Sequence, residues 1–183
     1  MSYSQWLSRQ PDAPLVELDP AAIRASFDCA PADEADLHRH LRVTANAWFA
    51  QIIRGEFEQD QPLEVIGAAL SEVAAAALDV TLAYYRPLLA ERFGDPVDPN
   101  GQPIGLCALG MGKLGGWELN LSSDIDLIFV HAQDGETTGR KPISFEEFFA
   151  RLIKKVTPAL DTLTGYGRVF QVDLRLRPWG SAG

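Results

Sequence analysis

The segment "GDPVDPNGQP", residues 94 to 103, divides the sequence into two parts that obey different hydrophobic periods. Before it, apolar residues recur every three or four positions, the spacing of one helix face. After it they come in short runs, the pattern of strands buried in a sheet. Gly, Pro and Asn break either period where they cluster. A chain organised this way is expected to fold as α+β, helices first and a mixed sheet after. The expected boundary puts a helical region over residues 1–95 and a second unit over 96–183.

The helical part has its own punctuation. Asp19-Pro20 supplies an N-cap followed by proline at the first helical position. From Asp33 to Phe57, Leu37, Leu41, Ala45, Trp48, Phe49 and Ile52 keep helical spacing, with Asp33, Glu34 and Asp36 where the helix dipole favours negative charge. A longer helix is expected from about Leu63 to Phe93, with Leu63, Ile66, Leu70, Val73, Ala77 and Thr81 along one stripe. Pro87 should bend it and Gly94 end it. Downstream, "IGLCALG", "SDIDLIFVH" and "GRVFQVDLRLRP" read as three strands. A helix opened by a Ser144–Glu147 capping box precedes the third, with Phe145, Phe148, Phe149, Leu152, Ile153 and Val156 as its apolar face. Pro158 is expected to kink or end it.

The formal net charge of the 183 residues is -9, so the surface as a whole repels polyanions. Non-specific nucleic-acid binding and anionic membrane surfaces are excluded on that ground, and any phosphate bound here must meet local positive charge or metal. No uncharged apolar run reaches the roughly 18 residues of a membrane span. Cys29 and Cys107 stand far apart without a C-x-x-C pattern, and the first residues lack a signal-peptide layout, which together point to a cytoplasmic protein with reduced thiols. The sequence stops directly after a strand pattern with no closing element, as a piece of something longer would.

The stretch "GMGKLGGWELNLSSDIDLIF", Gly110 to Phe129, offers two readings. Gly110, Gly112 and Gly115 spell the G-x-G-x-x-G of dinucleotide-binding turns. That fingerprint needs a helix inside the turn and an acid at the far end of the next strand. About seven residues separate Gly116 from the strand near Ser123, too few for that helix, and the acids come at the strand's beginning. A P-loop fails because Cys107 and Leu114 occupy positions that need Gly and Ser or Thr. The other reading is D-x-D. Asp124 and Asp126 share one strand face, with Ile125 and Leu127 toward the core. Paired carboxylates suit a hard divalent cation, whose remaining waters phosphate oxygens replace. Asp173, on another strand, is the candidate third ligand of such a clamp; the lesser alternative is a surface ion pair with Arg175. Asp124 and Asp126 also read as a solvated strand end, and Lys113 as a solvated turn lysine. His38 and His40 share a helix without a matching ligand set and read as surface residues, and His131 at a strand end says little.

"GMGKLGGWELNLSSDIDLIFVH" and "VFQVDLRLRPWGSAG" closely resemble glutamine synthetase adenylyltransferase/adenylyl-removing enzymes, of the polymerase-β-like nucleotidyltransferase superfamily. The likeness is strong over residues 104–131 and 167–183, fair over the preceding helices and faint before residue 33. The superfamily carries a Gly-Ser or Gly-Gly turn about ten residues before its D-x-D. Here Gly112-Lys113 takes that place, so Lys113 departs from the small residue of the superfamily while looking typical of this family. The resemblance implies a polymerase-β-like core, incomplete at its C-terminus. It implies Asp124, Asp126 and Asp173 as ligands of Mg²⁺ or Mn²⁺. Gly112, Lys113, Ser123, Arg175 and Arg177 are the implied contacts to phosphate or nucleotide. Family members hold two such halves, and this stretch looks more like the N-terminal one, which removes AMP from a tyrosine of glutamine synthetase by phosphorolysis and releases ADP. The implied partners are glutamine synthetase, phosphate with ADP or ATP, and PII-type signal proteins. Adenylyl transfer from ATP, or a docking module with a vestigial site, are the alternatives.

Overall fold

The computed structural model describes residues 15–175. Helix α1 (Pro20–Phe27) starts where Asp19 accepts hydrogen bonds from the backbone N–H groups of Ala21 and Ala22, with Pro20 in the first turn. It buries Ile23 and Phe27 completely. Helix α2 (Glu34–Gln59) is capped by the Asp33 carboxylate, which accepts from Asp36 N, and ends at Asp60 in the left-handed conformation. Its expected stripe of Leu37, Leu41, Ala45, Trp48 and Ile52 is buried, with Phe49 packed partly against the core.

Helix α3 (Leu63–Phe93) is central, packing on α1, on α2 and on α5 (Phe145–Asp161). Ile66, Leu70, Val73, Ala77 and Thr81 lie inside as the periodicity predicts, but Leu63 does not. It is 74% exposed, since it opens the helix beyond the reach of its neighbours. By length and composition α3 could cross a membrane, yet 67% of its most apolar window is buried inside the fold, as the faces of a core helix are. The helix continues through Pro87 and stops at Gly94, whose φ is +83°. A Cβ on Gly94 would stand 2.3 Å from Gly139 N, and one on Gly139 would stand 2.2 Å from the Phe93 carbonyl. The two backbones cross there, and Gly139 N–H donates to Phe93 O at 3.0 Å. Arg86 secures the linker that follows, donating to both Asp95 carboxylate oxygens at 2.9 and 3.1 Å and to Ile104 O at 2.8 Å.

The sheet has three strands in the order β1 (Leu106–Gly110), β2 (Ile125–His131), β3 (Val172–Asp173). β1 runs antiparallel to β2, pairing Gly110 with Leu127, and β3 runs parallel to β2, pairing Ile125 with Val172 and Asp126 with Asp173. The sheet is therefore mixed, and with the helices the fold is α+β as expected. The third strand begins later than its sequence pattern: of "GRVFQVDLRLRP", Val172 and Asp173 pair among the described residues, while Val169 and Phe170 turn into the core. Pro158 does not end α5, which runs on to Asp161. The Ser144 hydroxyl caps α5 by accepting from Glu147 N, while the Glu147 carboxylate turns to Arg151 rather than closing the capping box. One buried cluster joins residues of all the long helices to Ile125, Leu127, Val169 and Phe170 of the sheet region.

The most unusual resident of the interior is Arg42, fully buried on α2. Its guanidinium donates to four carbonyls: His38 O and Ala159 O at 3.0 Å each, Gly167 O at 3.0 Å and Thr162 O at 2.5 Å. Three of these belong to the end of α5 and the turn leading to β3. Burial pushes the Arg42 pKa down. Asn46, one helical turn on, donates to Tyr166 O at 2.8 Å and holds the same turn.

Two substitutions test these attachments. Arg42→Met should lower the urea-unfolding free energy by about 3 kcal/mol, because it removes four hydrogen bonds and leaves the buried Ala159 carbonyl without its donor. Gly139→Ala should cost about 2 kcal/mol by forcing two backbones apart. A loss below about 0.5 kcal/mol in either would contradict the packing described.

Candidate active site

The glycine segment folds as a tight elbow between β1 and β2. Gly110, Gly112 and Gly115 each answer a local demand for space. A Cβ on Gly115 would lie 2.5 Å from Gly110 O, and one on Gly110 would lie 2.9 Å from the Leu114 side chain. Gly112 has φ +53° and begins the single-turn helix α4 (Gly112–Gly115) with no side-chain cap. Met111 N–H donates to Asp126 O at 2.9 Å, which zips the elbow onto β2. Directly beside it, a Cβ on Gly112 would come within 3.0 Å of Asp126 Oδ2. The next residues close the turn through Glu118 N–H to Lys113 O and Trp117 N–H to Leu114 O. Trp117 takes a positive φ, 58°, and its carbonyl sits where a side chain on Gly67 of α3 would be, 2.8 Å from that Cβ position.

The acids follow. Asp124 is exposed just ahead of β2, and Asp126 is half-buried as its second residue. Ile125 and Leu127 are buried on the opposite face, so the alternation read from the sequence holds. Asp126 and Asp173 are register partners on adjacent parallel strands, so their side chains leave the same face of the sheet as immediate neighbours. In this structure Asp173 is taken up by Arg175. The Arg175 backbone N–H donates to Oδ1 at 2.8 Å, its Nε reaches both carboxylate oxygens at 3.0 Å, and its Nη2 makes a shorter contact to Oδ2. These hydrogen bonds hold the Asp173 pKa down at about 2. The same pairing raises Arg175, to which the charges of Asp124 and Asp126 add. Among the described residues, no three His, Cys, Asp or Glu side chains converge as a ready metal cage. The donor set still fits one: three carboxylates, two of them in register, are the hard oxygen ligands that Mg²⁺ or Mn²⁺ takes.

The remaining candidates divide. Lys113 is exposed on the elbow. Ser123 serves the turn, its hydroxyl donating to Asn120 Oδ1 at 2.5 Å. Arg177 lies outside the described residues. His38 and His40 are half-buried rather than on the surface: His38 Nε2 is 3.1 Å from Tyr85 Oη and His40 Nε2 is 3.2 Å from Phe27 O. Burial lowers the His38 pKa. His131 contacts Gln133 O through Nδ1 at 2.9 Å.

A cleft of about 560 Å³ opens beside Asp173, lined by Thr157, Asp161, Arg168, Gln171 and Arg175 among others. Arg168, which sequence reasoning passed over, sits 3.2 Å from Asp161 and donates to Gln171 Oε1 at 3.1 Å. A lone arginine ahead of a strand carries no local signal; only the turn that folds it back onto α5 sets it near Asp173.

Compared with known proteins, residues 3–183 match the family model described as glutamate-ammonia ligase adenylyltransferase. The bifunctional glutamine synthetase adenylyltransferase/adenylyl-removing enzyme of Thioalkalivibrio sulfidiphilus is 43% identical over 154 residues, 84% of this chain and 16% of that protein. The enzymes of the same name from Aromatoleum aromaticum and Pseudomonas putida are 39% identical over 97% of this chain and 44% identical over 84% of it. The chain spans 19% and 16% of those two relatives, a small part of their length.

The Asp173–Arg175 pair has a direct readout. A carboxyl whose folded pKa is depressed contributes stability above its unfolded value, near 3.9, and loses it as pH falls through the folded one. In carbon-detected NMR titration Asp173 should stay ionised from pH 8 to pH 4 and titrate at about 2. In Arg175→Gln its midpoint should rise toward roughly 4.

Proposed function

Because the chain belongs to the glutamate-ammonia ligase adenylyltransferase family, we propose that it carries a nucleotidyl-transfer site that acts on glutamine synthetase, and that its reaction is removal of AMP by phosphorolysis. The observation that carries this reading is the register of Asp126 with Asp173, two carboxylates side by side against the Gly112 elbow. The direction of reaction rests on the likeness of "GMGKLGGWELNLSSDIDLIF" to the adenylyl-removing half of such enzymes.

In the reaction an oxygen of inorganic phosphate attacks the phosphorus of the AMP–tyrosine ester in line with the tyrosine oxygen. The new P–O bond makes ADP, the P–O(tyrosine) bond breaks, and the phenolic oxygen takes up a proton. Little covalent help is needed from the protein; catalysis is positioning and charge neutralisation. Asp124, Asp126 and Asp173 would hold Mg²⁺ or Mn²⁺, which supplies positive charge against the oxygens that become more negative. The N–H groups that open α4 have no side-chain cap, and phosphate oxygens suit such a turn. Lys113 adds a mobile ammonium there. Gly112 keeps that approach open, since any side chain would press on Asp126.

The relatives' names join two activities, so adenylyl transfer from ATP is the second reading. An assay decides between them. Adenylylated glutamine synthetase with phosphate and Mg²⁺ should yield ADP, and Asp126→Asn should slow this at least about 100-fold. Consumption of ATP with unmodified glutamine synthetase, and no ADP from the adenylylated form, would assign the opposite direction. An undiminished rate in Asp126→Asn would remove the site altogether.

A further inference from the structure

The cleft between the end of α5 and β3 holds two guanidinium groups, each occupied by an aspartate: Arg175 by Asp173, and Arg168 by Asp161. Resting on the reading above, we propose that Arg168 and Arg175 form a phosphate subsite in this cleft, and that Arg175 joins it only when a divalent cation takes over Asp173. Three observations lead there. The chain is strongly acidic, so a phosphate needs a place where local positive charge outweighs the rest. Two planar guanidiniums facing one cleft are the donors best matched to a phosphate's oxygens. And a cation at Asp173 competes with the Arg175 charge for the same two oxygens, both of which accept from the guanidinium.

The exchange is mechanically easy. The Arg175 side chain is 89% exposed, so it leaves Asp173 without disturbing packing, whereas the Asp173 side chain is 14% exposed and fixed by the strand. One residue, Leu174, separates them, so the released guanidinium stays tethered at the cleft that Arg168 also lines. A divalent cation replaces the arginine's charge at the carboxylate, and the freed arginine brings its charge to the anion. Cation and phosphate then favour each other's binding, by the same factor in both directions.

Calorimetric titration of Mg²⁺ and inorganic phosphate into the 183-residue chain tests this. Phosphate should bind about fivefold or more tightly when Mg²⁺ is saturating. Arg168→Gln should weaken phosphate about tenfold and leave Mg²⁺ affinity unchanged. Arg175→Gln should tighten Mg²⁺ roughly threefold, by removing its competitor, and reduce the coupling to near unity. Parallel titration with AMP tells whether the subsite takes the free anion or a nucleotide's phosphate. Phosphate affinity indifferent to Arg168→Gln, or full coupling retained in Arg175→Gln, would overturn the proposal while leaving the metal reading intact if Mg²⁺ still binds and Asp126→Asn abolishes it. A wild-type chain that takes up no Mg²⁺ would overturn both.

Discussion

The geometry of the acidic site depends on a buried cation far from it. Arg42 reaches from α2 to the last carbonyls of α5 and to the turn after it, closing four hydrogen bonds from a residue that is itself fully buried. That turn launches β3, of which Val172 and Asp173 pair with β2 among the described residues. The alignment of Asp173 with Asp126 is thus inherited from the Arg42 anchorage, from Val169 and Phe170 in the core, and from the hydrogen bond of Ile125 N–H to Gln171 O. A buried arginine without a carboxylate partner is affordable only when carbonyls satisfy most of its donors, and here they do.

The glycines have a similar logic. The motif looks, from its chemistry alone, like a device for admitting phosphate. In the fold its glycines first solve a crowding problem: Gly115 lies under Gly110 O, Gly112 lies against Asp126, and Gly67 on α3 leaves room for the Trp117 carbonyl. A backbone packed this closely holds its N–H groups in fixed directions, which is also what an anion site requires. Packing and chemistry ask for the same residue type, so the glycine signal is strong even though it misleads toward a dinucleotide fold.

What the sequence made legible was whatever rests on short-range period. The stripe of α2, the Asp19–Pro20 and Ser144 starts, the end of α3 at Gly94 and the shared face of Asp126 follow from neighbours within a few positions. The expected ligands Asp126 and Asp173 could be placed on one sheet, although their register could not. What stayed hidden depends on contacts more than a hundred residues apart. Arg42 looks like any polar residue on an amphipathic helix until Ala159, Thr162 and Gly167 fold around it. The start of the third strand was placed too early because Val169 and Phe170, apolar for the sake of the core, imitate strand alternation. Pro158 does not end α5, whose last turn is held from outside by the Arg42 guanidinium on Ala159 O and Thr162 O.

The crossing of Gly94 and Gly139 has a consequence for how such a unit could be moved between proteins. The connection between β2 and α5 is stitched to the final turn of α3 by bare backbone, with no side chain to trim or exchange. Together with the anchorage on α2, this makes the helices the mould in which the sheet sets. Grafting the strands and their acids onto a foreign scaffold without α2 and α3 would transplant the letters of the motif and leave its spelling behind.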